Sequence, residues 1–127
     1  MFVTLLYLIL DLDSKIISLS NGGHEPPYLY RRRTGKGEWF KKGGAPPLGL
    51  FAESRYSEEK IPMEEGDFMV FMSDGVKELR NPKGVEFGYE GMEKALETFS
   101  RDPAEGIVKR LFQAMDEHSK KNPAHDD

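Results

Sequence analysis

The spacing of hydrophobic residues changes partway along this chain, and the change limits the possible folds more than any other feature. Up to about residue 72, apolar residues form short runs bounded by glycine, proline and aspartate, which is typical of β-strands. From Tyr89 onward they recur every three or four residues, which predicts amphipathic helices. Because strands come first and helices last, the sequence predicts an α+β fold without alternating βαβ units.

The first 31 residues predict three strands. Residues 1–10 are almost wholly apolar, and Asp11 ends the run well short of the roughly 20 residues that a membrane helix needs. No basic residue precedes the run as in a signal peptide, so we expect a buried β-strand. A turn then leads into a strand at residues 15–20, forming a hairpin, and residues 28–31 predict a third strand.

The rest of the chain predicts one more strand and two long helices. Residues 34–49 are rich in glycine and proline and are expected to form a loop. Residues 68–72 are apolar without alternation, as in a central strand covered on both faces. Helices are predicted near residues 89–100 and 102–120, the second with Asp102 as N-cap. At this length we expect a single domain over residues 1–127.

Composition narrows the function. With 18 basic and 22 acidic residues, the net charge of −4 makes nucleic acid an unfavourable partner. The absence of cysteine excludes disulfides, thiolate zinc sites and cysteine nucleophiles. We expect a cytoplasmic protein without a membrane span. Residues 31–42 hold six basic residues and one acid, which indicates either a solvated loop or a surface that attracts a phosphorylated substrate.

A few acidic and histidine side chains are candidates for chemistry. Asp74 follows an apolar run and precedes a glycine, where a buried carboxylate would require a metal, a cation or backbone N–H donors. The alternative is an N-cap for a short helix at Val76. Asp126 and Asp127 are either metal ligands or a solvated chain end, and His24 is either a site residue or a turn histidine bonded to backbone.

Seven short motifs, taken together and in order, resemble a known family. They are Met-Phe-Val-Thr (1–4), Asn-Gly-Gly-His-Glu-Pro-Pro (21–27), Pro-Leu-Gly (47–49), Glu-Gly-Asp (65–67), Ser-Asp-Gly-Val-Lys-Glu (73–78), Phe-Gly (87–88) and Asp-Asp (126–127). The pattern resembles the SpoIIE/RsbU branch of the PPM, or type 2C, serine/threonine protein phosphatases. This resemblance implies an antiparallel β-sandwich flanked by α-helices. It also implies hydrolysis of phosphoserine or phosphothreonine with two Mn²⁺ or Mg²⁺ ions, which activate a bridging water.

The resemblance also implies a site. Asp74 and Asp126 would be metal ligands, Gly75 would lie near the site, and Asp127 would be a less direct candidate. Oxygen ligands of this kind suit hard divalent cations. His24 and Glu78 match positions that line a weaker, third metal site in the family.

The match is incomplete, and that has consequences. The family's Gly-Asp-x-x-Gly-His-Gly stretch, which supplies the aspartate that bridges both metals, is not found in residues 1–127. We therefore expect an incomplete domain with only part of the metal site, inactive alone.

The implied partner is a phosphorylated anti-sigma-factor antagonist in a sigma-factor or stress-signalling pathway. The alternative is a non-catalytic remnant that acts as an interaction or assembly module. Because the family's first two helices are also missing, an uncovered apolar sheet face should make the chain a homo-oligomer.

Overall fold

The computed structural model describes residues 1–120, which form seven strands and three helices. The strands are β1 (Leu5–Asp11), β2 (Ile16–Gly22), β3 (Tyr28–Arg31), β4 (Lys36–Trp39), β5 (Gly44–Ala45), β6 (Glu59–Pro62) and β7 (Phe68–Val70). The helices are α1 (Asp74–Lys77), α2 (Gly88–Thr98) and α3 (Ala104–Ser119). The chain divides into two compact units, one of residues 1–34 and 38–71 and one of residues 35–37 and the chain from 72 onward.

The predicted first hairpin is present. Strands β1 and β2 pair antiparallel, with Leu8 opposite Leu19. At the turn, Asp11 Oδ1 accepts hydrogen bonds from the backbone N–H groups of Asp13 and Ser14 at 2.9 and 3.2 Å. The other edge of β2 pairs antiparallel with β6 and, over two residues, parallel with β5. These four strands form the first sheet.

Strand β1 is not buried, which corrects the prediction for residues 1–10. The strand begins only at Leu5, and its side chains alternate between the two faces of the sheet. Leu6 and Leu8 pack against the core, whereas Leu5, Tyr7 and Ile9 are 45%, 59% and 55% exposed. Among the described residues, the outer face of β1 is therefore apolar and exposed to solvent.

A compact apolar core joins the first sheet to a second one, ordered β4-β3-β7. Ile17 and Leu19 of β2, Ile61 of β6 and Leu29 of β3 form this core, and each is at most 6% exposed. Leu29 belongs to the second sheet and the other three belong to the first, so the core lies between two layers. Burying side chains of this size contributes roughly 1.5–3 kcal/mol each.

Two strand predictions need correction. Residues 68–72 were expected to form a central strand, but β7 covers only Phe68–Val70, pairs with β3 alone among the described strands and is half-buried. The region expected to be a loop, residues 34–49, contains β4 and β5, and β6 lies in a segment for which no strand was predicted. These strands contain glycine and charged residues, which have low β-propensity, so the sequence did not predict them. Pairing stabilises them instead: β5 and β6 pair with β2, and β4 pairs with β3.

The helices of the second unit lie close to where the sequence predicted them. Their buried side chains are Met92, Ala95 and Leu96 on α2 and Ile107 and Leu111 on α3. Phe112, the residue after Leu111 on α3, is 61% exposed. Asp102 is not the N-cap; its carboxylate instead pairs with Nε of Arg110 at 2.9 Å. Within residues 1–120, no helix is long and apolar enough to cross a membrane.

One carboxylate ties the two sheets together at the end of β3. Asp67 accepts hydrogen bonds from the backbone N–H groups of Glu64 (2.9 Å) and Arg32 (3.0 Å) and from Nη1 of Arg31 (2.8 Å). The same Nη1 donates to the backbone oxygen of Pro62 at the end of β6. Burial alone would raise the pKa of Asp67, but the backbone hydrogen bonds and the Arg31 guanidinium outweigh it and hold the pKa below its ordinary value.

We predict that Asp67→Asn lowers the free energy of unfolding by about 2 kcal/mol, because it weakens a charge-assisted hydrogen bond at a side chain only 2% exposed. The folded-state pKa of Asp67 is depressed below 3.8. Its stabilisation is therefore complete above that value and is lost as the pH falls through the folded pKa. Urea unfolding from pH 7 to pH 2 should show a loss of stability in acid that is smaller in the variant.

The matched control is Glu58→Gln, which removes one negative charge from a pair with Lys60 whose side chains are 58% and 69% exposed. Such an exposed pair contributes about 0–1 kcal/mol, so this variant should unfold nearly as the parent does. Equal stability of the Asp67 and Glu58 variants would contradict the role given to Asp67.

Candidate functional site

Asp74 lies at the start of α1, a single helical turn. Ser73 precedes it with extended backbone, φ −91° and ψ 171°, and no side chain caps the helix. The backbone oxygen of Asp74 accepts the N–H of Glu78 at 3.0 Å. The N-cap alternative for Asp74 is therefore wrong by one position, since Ser73 occupies it. Asp74 is also exposed rather than buried at the end of a strand, so desolvation does not by itself require a ligand there.

Gly75 and Glu78 share this exposed turn with Asp74. On its other side, Nζ of Lys77 lies 3.4 Å from the hydroxyl of Tyr89 and 5.2 Å from the centre of its ring. This contact joins α1 to the first turn of α2, because a cation over an aromatic face is attracted to it. The Lys77–Tyr89 contact thus anchors the short helix to α2, while Asp74 and Glu78 remain exposed to solvent.

His24 lies in the first unit, in the loop that follows β2. Its backbone N–H donates to Oδ1 of Asn21 at 2.9 Å, and Nδ2 of Asn21 donates back to the His24 oxygen at 3.1 Å. The ring Nδ1 lies 3.0 Å from the backbone oxygen of Glu25, so Nδ1 carries the proton in the neutral ring. His24 is therefore a turn histidine bonded to backbone, with Nε2 left as the lone-pair nitrogen able to bind a metal.

The described residues do not complete a metal site. Among residues 1–120, no three histidine, aspartate or glutamate side chains converge as metal ligands would. Asp126 and Asp127, the remaining implied ligands, lie outside the described residues. A two-metal centre does not fit the described side chains alone.

Sequence reasoning missed Asp67 as a residue that organises a site. Its signal was the Glu-Gly-Asp motif, in which Gly66 has a positive φ of 89°. A Cβ at Gly66 would collide with the side chain of Arg32, so only glycine lets the arginine stem lie across this turn. The result is that Asp67 and Glu64 lie beside Arg31 and Arg33, at the start of the basic segment 31–42.

Comparison with known proteins gives these features a family context. The pattern of the family described as Stage II sporulation protein E (SpoIIE) matches residues 1–127. The chain is 26% identical over 115 residues to the phosphoserine phosphatase RsbU of Bacillus subtilis and 26% identical over 96 residues to protein IcfG of Synechocystis. These alignments cover 91% and 76% of this chain but only 34% and 15% of the two relatives.

Solved structures agree on the fold. The phosphatase domain of SpoIIE from Bacillus subtilis, in a Mn-presoaked crystal, matches 98% of this chain and 52% of its own with a TM-score of 0.65 and 19% identity. The RsbU and RsbW domains of Rv1364c from Mycobacterium tuberculosis match 88% of this chain and 31% of theirs with a TM-score of 0.68 and 21% identity. The chain thus has the fold of part of such a phosphatase domain and spans about half of it. Since the family pattern matches the whole chain, this protein belongs to the SpoIIE family of PPM-type phosphatase domains.

Proposed function

We propose that residues 1–127 are the C-terminal part of a metal-dependent phosphoserine/phosphothreonine protein phosphatase domain. The observation that carries the proposal is the match of the SpoIIE family pattern to the whole chain. The shared fold of the SpoIIE phosphatase domain supports it. The chain spans about half of that domain, so the activity is proposed for the completed domain rather than for these residues alone.

The proposed cofactor is Mn²⁺ or Mg²⁺. The chain has no cysteine, and its candidate ligands are carboxylates and one histidine, a set that suits hard cations. Asp74 and Asp126 are the proposed ligands, with Gly75 beside them and Asp127 as the less direct candidate. The accessible carboxylate of Asp74 on α1 is consistent with this role.

The proposed substrate is a phosphorylated protein of the anti-sigma-factor antagonist type. The relative RsbU is described as a phosphoserine phosphatase, and Rv1364c joins RsbU and RsbW domains in one protein. By analogy, this chain would act in a sigma-factor or stress-signalling pathway. The net charge of −4 is consistent with a protein partner rather than nucleic acid.

A second candidate is a non-catalytic remnant that serves as an interaction or assembly module. The observation that favours it is the lack of convergence among the acids and histidines of residues 1–120. Completion of the domain by its other half distinguishes the two candidates, because a remnant would remain inactive when completed.

We predict that the chain alone shows only background hydrolysis of phosphoserine peptides with Mn²⁺, because two-metal positioning is lost. Placing the N-terminal half of the SpoIIE phosphatase domain before Met1 should restore metal-dependent turnover. Asp74→Asn should then reduce that turnover at least a hundredfold. Release of phosphate under excess Mn²⁺ measures each case.

The control for that experiment is Asp116→Asn, the same chemical change on α3, where Asp116 pairs with Lys120 at the surface. It should leave turnover unchanged. Metal-dependent turnover by the chain alone, abolished by Asp74→Asn, would contradict the first expectation. A fused domain that is folded but inactive would favour the remnant.

We predict weak metal binding by the chain alone. Asp74 and Asp126, with Glu78, which lies close to Asp74 in sequence and in the same unit, would hold one Mn²⁺ with an affinity no better than about millimolar, the range of under-liganded oxygen sites. Calorimetry with Mn²⁺ tests this, and Asp74→Asn should weaken the binding further. Micromolar binding would show that the ligand set is completed in some other way, for example across a subunit interface.

We predict that the chain forms a homo-oligomer through the outer face of β1. The exposed side chains of Leu5, Tyr7 and Ile9 form an apolar stripe, and among the described strands β1 pairs with β2 only, which leaves its other edge open. Size-exclusion chromatography with light scattering at tens of micromolar should give at least a dimer. Tyr7→Lys should shift the mass toward the monomer.

The matched control for assembly is Val108→Lys. Val108 is 51% exposed on α3, close to the 59% of Tyr7, but it belongs to the other unit. This variant should keep the oligomeric mass of the parent. A well-folded monomeric parent would refute the assembly proposal.

A further inference from the structure

An open groove of about 370 Å³ lies beside the carboxylate that joins the two sheets. We call it the arginine groove; it is lined by Arg31, Arg33, Thr34, Pro62, Glu64 and Asp67. All six residues belong to the first unit, and none is a candidate metal ligand. The groove is large enough for a phosphate group together with the side chain that carries it.

Arg31 is held in this groove by two hydrogen bonds, and its guanidinium has further N–H donors available for a ligand. Its Nη1 donates to the Pro62 oxygen at 2.7 Å and to Asp67 at 2.8 Å, which uses both hydrogens of that nitrogen. A guanidinium has five N–H groups, and within residues 1–120 the three on Nη2 and Nε have no protein partner. Asp67 is only 2% exposed and stays ionised, so its hydrogen bond holds the Arg31 guanidinium in one geometry. The Arg31 side chain is nevertheless 35% exposed and can be reached by a ligand. It is a pre-positioned cation.

Arg33 is free to change partners. Its Nη2 pairs with Oε2 of Glu64 at 2.8 Å, but the two side chains are 77% and 54% exposed. Pairs this exposed add little to stability and exchange readily with other ions. Arg33 can therefore leave Glu64 for a stronger anion at small cost. Glu64 therefore competes with that anion for Arg33.

The charges decide which anion suits the groove. Arg31 and Arg33 are offset by Asp67 and Glu64, so an anion that enters the groove competes with these two carboxylates. A single carboxylate would only replace Glu64 by a group of equal charge. A phosphate group carries about −1.5 to −2 charges at pH 7 and three acceptor oxygens. It can engage the planar forks of two guanidinium groups at once.

We propose that the arginine groove is a binding site for a phosphate group, gripped by the fixed Arg31 and the exchangeable Arg33. The source is either a phosphorylated side chain of a protein partner or free inorganic phosphate, which share this chemistry. The inference goes beyond the proposed phosphatase activity and does not depend on it, because the groove uses none of the candidate metal ligands and its binding is measured without metal.

The test is a titration of the full ¹⁵N-labelled chain, without metal, followed by NMR. The probes are inorganic phosphate and a phosphoserine peptide, with the unphosphorylated peptide for comparison. We expect saturable shifts at the backbone amides of residues 31–34 and 62–67. Arg33→Ala should weaken phosphate binding about tenfold, the loss expected for one charge-assisted contact. Glu64→Gln should strengthen it several-fold, because the internal competitor is removed.

The control variant is again Glu58→Gln, which removes the same charge from an exposed pair with Lys60 outside the groove. It should leave phosphate affinity within about twofold at 0.15 M salt, where distant surface charges are screened. Arg33 and Glu64 are exposed, so neither substitution should unfold the chain, and thermal melts of each variant check this.

The outcomes separate clearly. Tighter binding of the phosphoserine peptide than of inorganic phosphate would support the proposal with a phosphoprotein as the source. Equal binding would support it with free phosphate as the source. Shifts that do not saturate, or that spread over surface lysines, would overturn it. Unchanged affinity in both folded groove variants would overturn it as well.

Discussion

The hydrogen bonds to Asp67 are the polar constraint that links the two sheets of the described sandwich at one end. One carboxylate binds the end of β3, through Arg31 and the Arg32 N–H, to the turn between β6 and β7. Since β6 lies in one sheet and β3 and β7 lie in the other, this ion holds the two layers together at their rim. The apolar core fixes the spacing of the layers, whereas Asp67 fixes their alignment at that edge.

Elements with strong local patterns were predictable from the sequence. The hairpin of β1 and β2, the strand at residues 28–31 and helices α2 and α3 lie where apolar periodicity and turn chemistry placed them. The misses share a physical cause. Strands β4, β5 and β6 are short and rich in glycine and charge, so their hydrogen-bonding neighbours define them. The local pattern of residues 1–10 predicted a buried strand, but burial depends on which segments cover the sheet; the uncovered face was expected only from the family resemblance.

The candidate site was less predictable than the fold. Motif order identified the family and pointed to Asp74 and His24. Asp74 is exposed on a helical turn rather than buried as expected, whereas the backbone contact of His24 matches one of the two alternatives that the sequence left open. A metal site is assembled from distant segments, so its completeness cannot be deduced from one ligand and its neighbours. For the arginine groove the sequence left two interpretations of residues 31–42 open, a solvated loop or a surface for a phosphorylated substrate. The sequence did not indicate that Asp67 and Glu64 would lie beside Arg31 and Arg33.

The aromatic side chains of the second sheet give the chain a built-in optical probe. Trp39, the sole tryptophan, meets the fully buried Tyr28 edge to face at 5.1 Å between ring centres, and Phe68 stacks on Tyr30 at 4.8 Å. Trp39 is the last residue of β4, in the second sheet, and it belongs to the first unit rather than to the unit that contains the helices. Its emission should report on the packing of Trp39 against Tyr28, that is, of β4 against β3, whereas far-ultraviolet circular dichroism is dominated by the helices. A difference between the two signals during unfolding would reveal whether the two units melt separately.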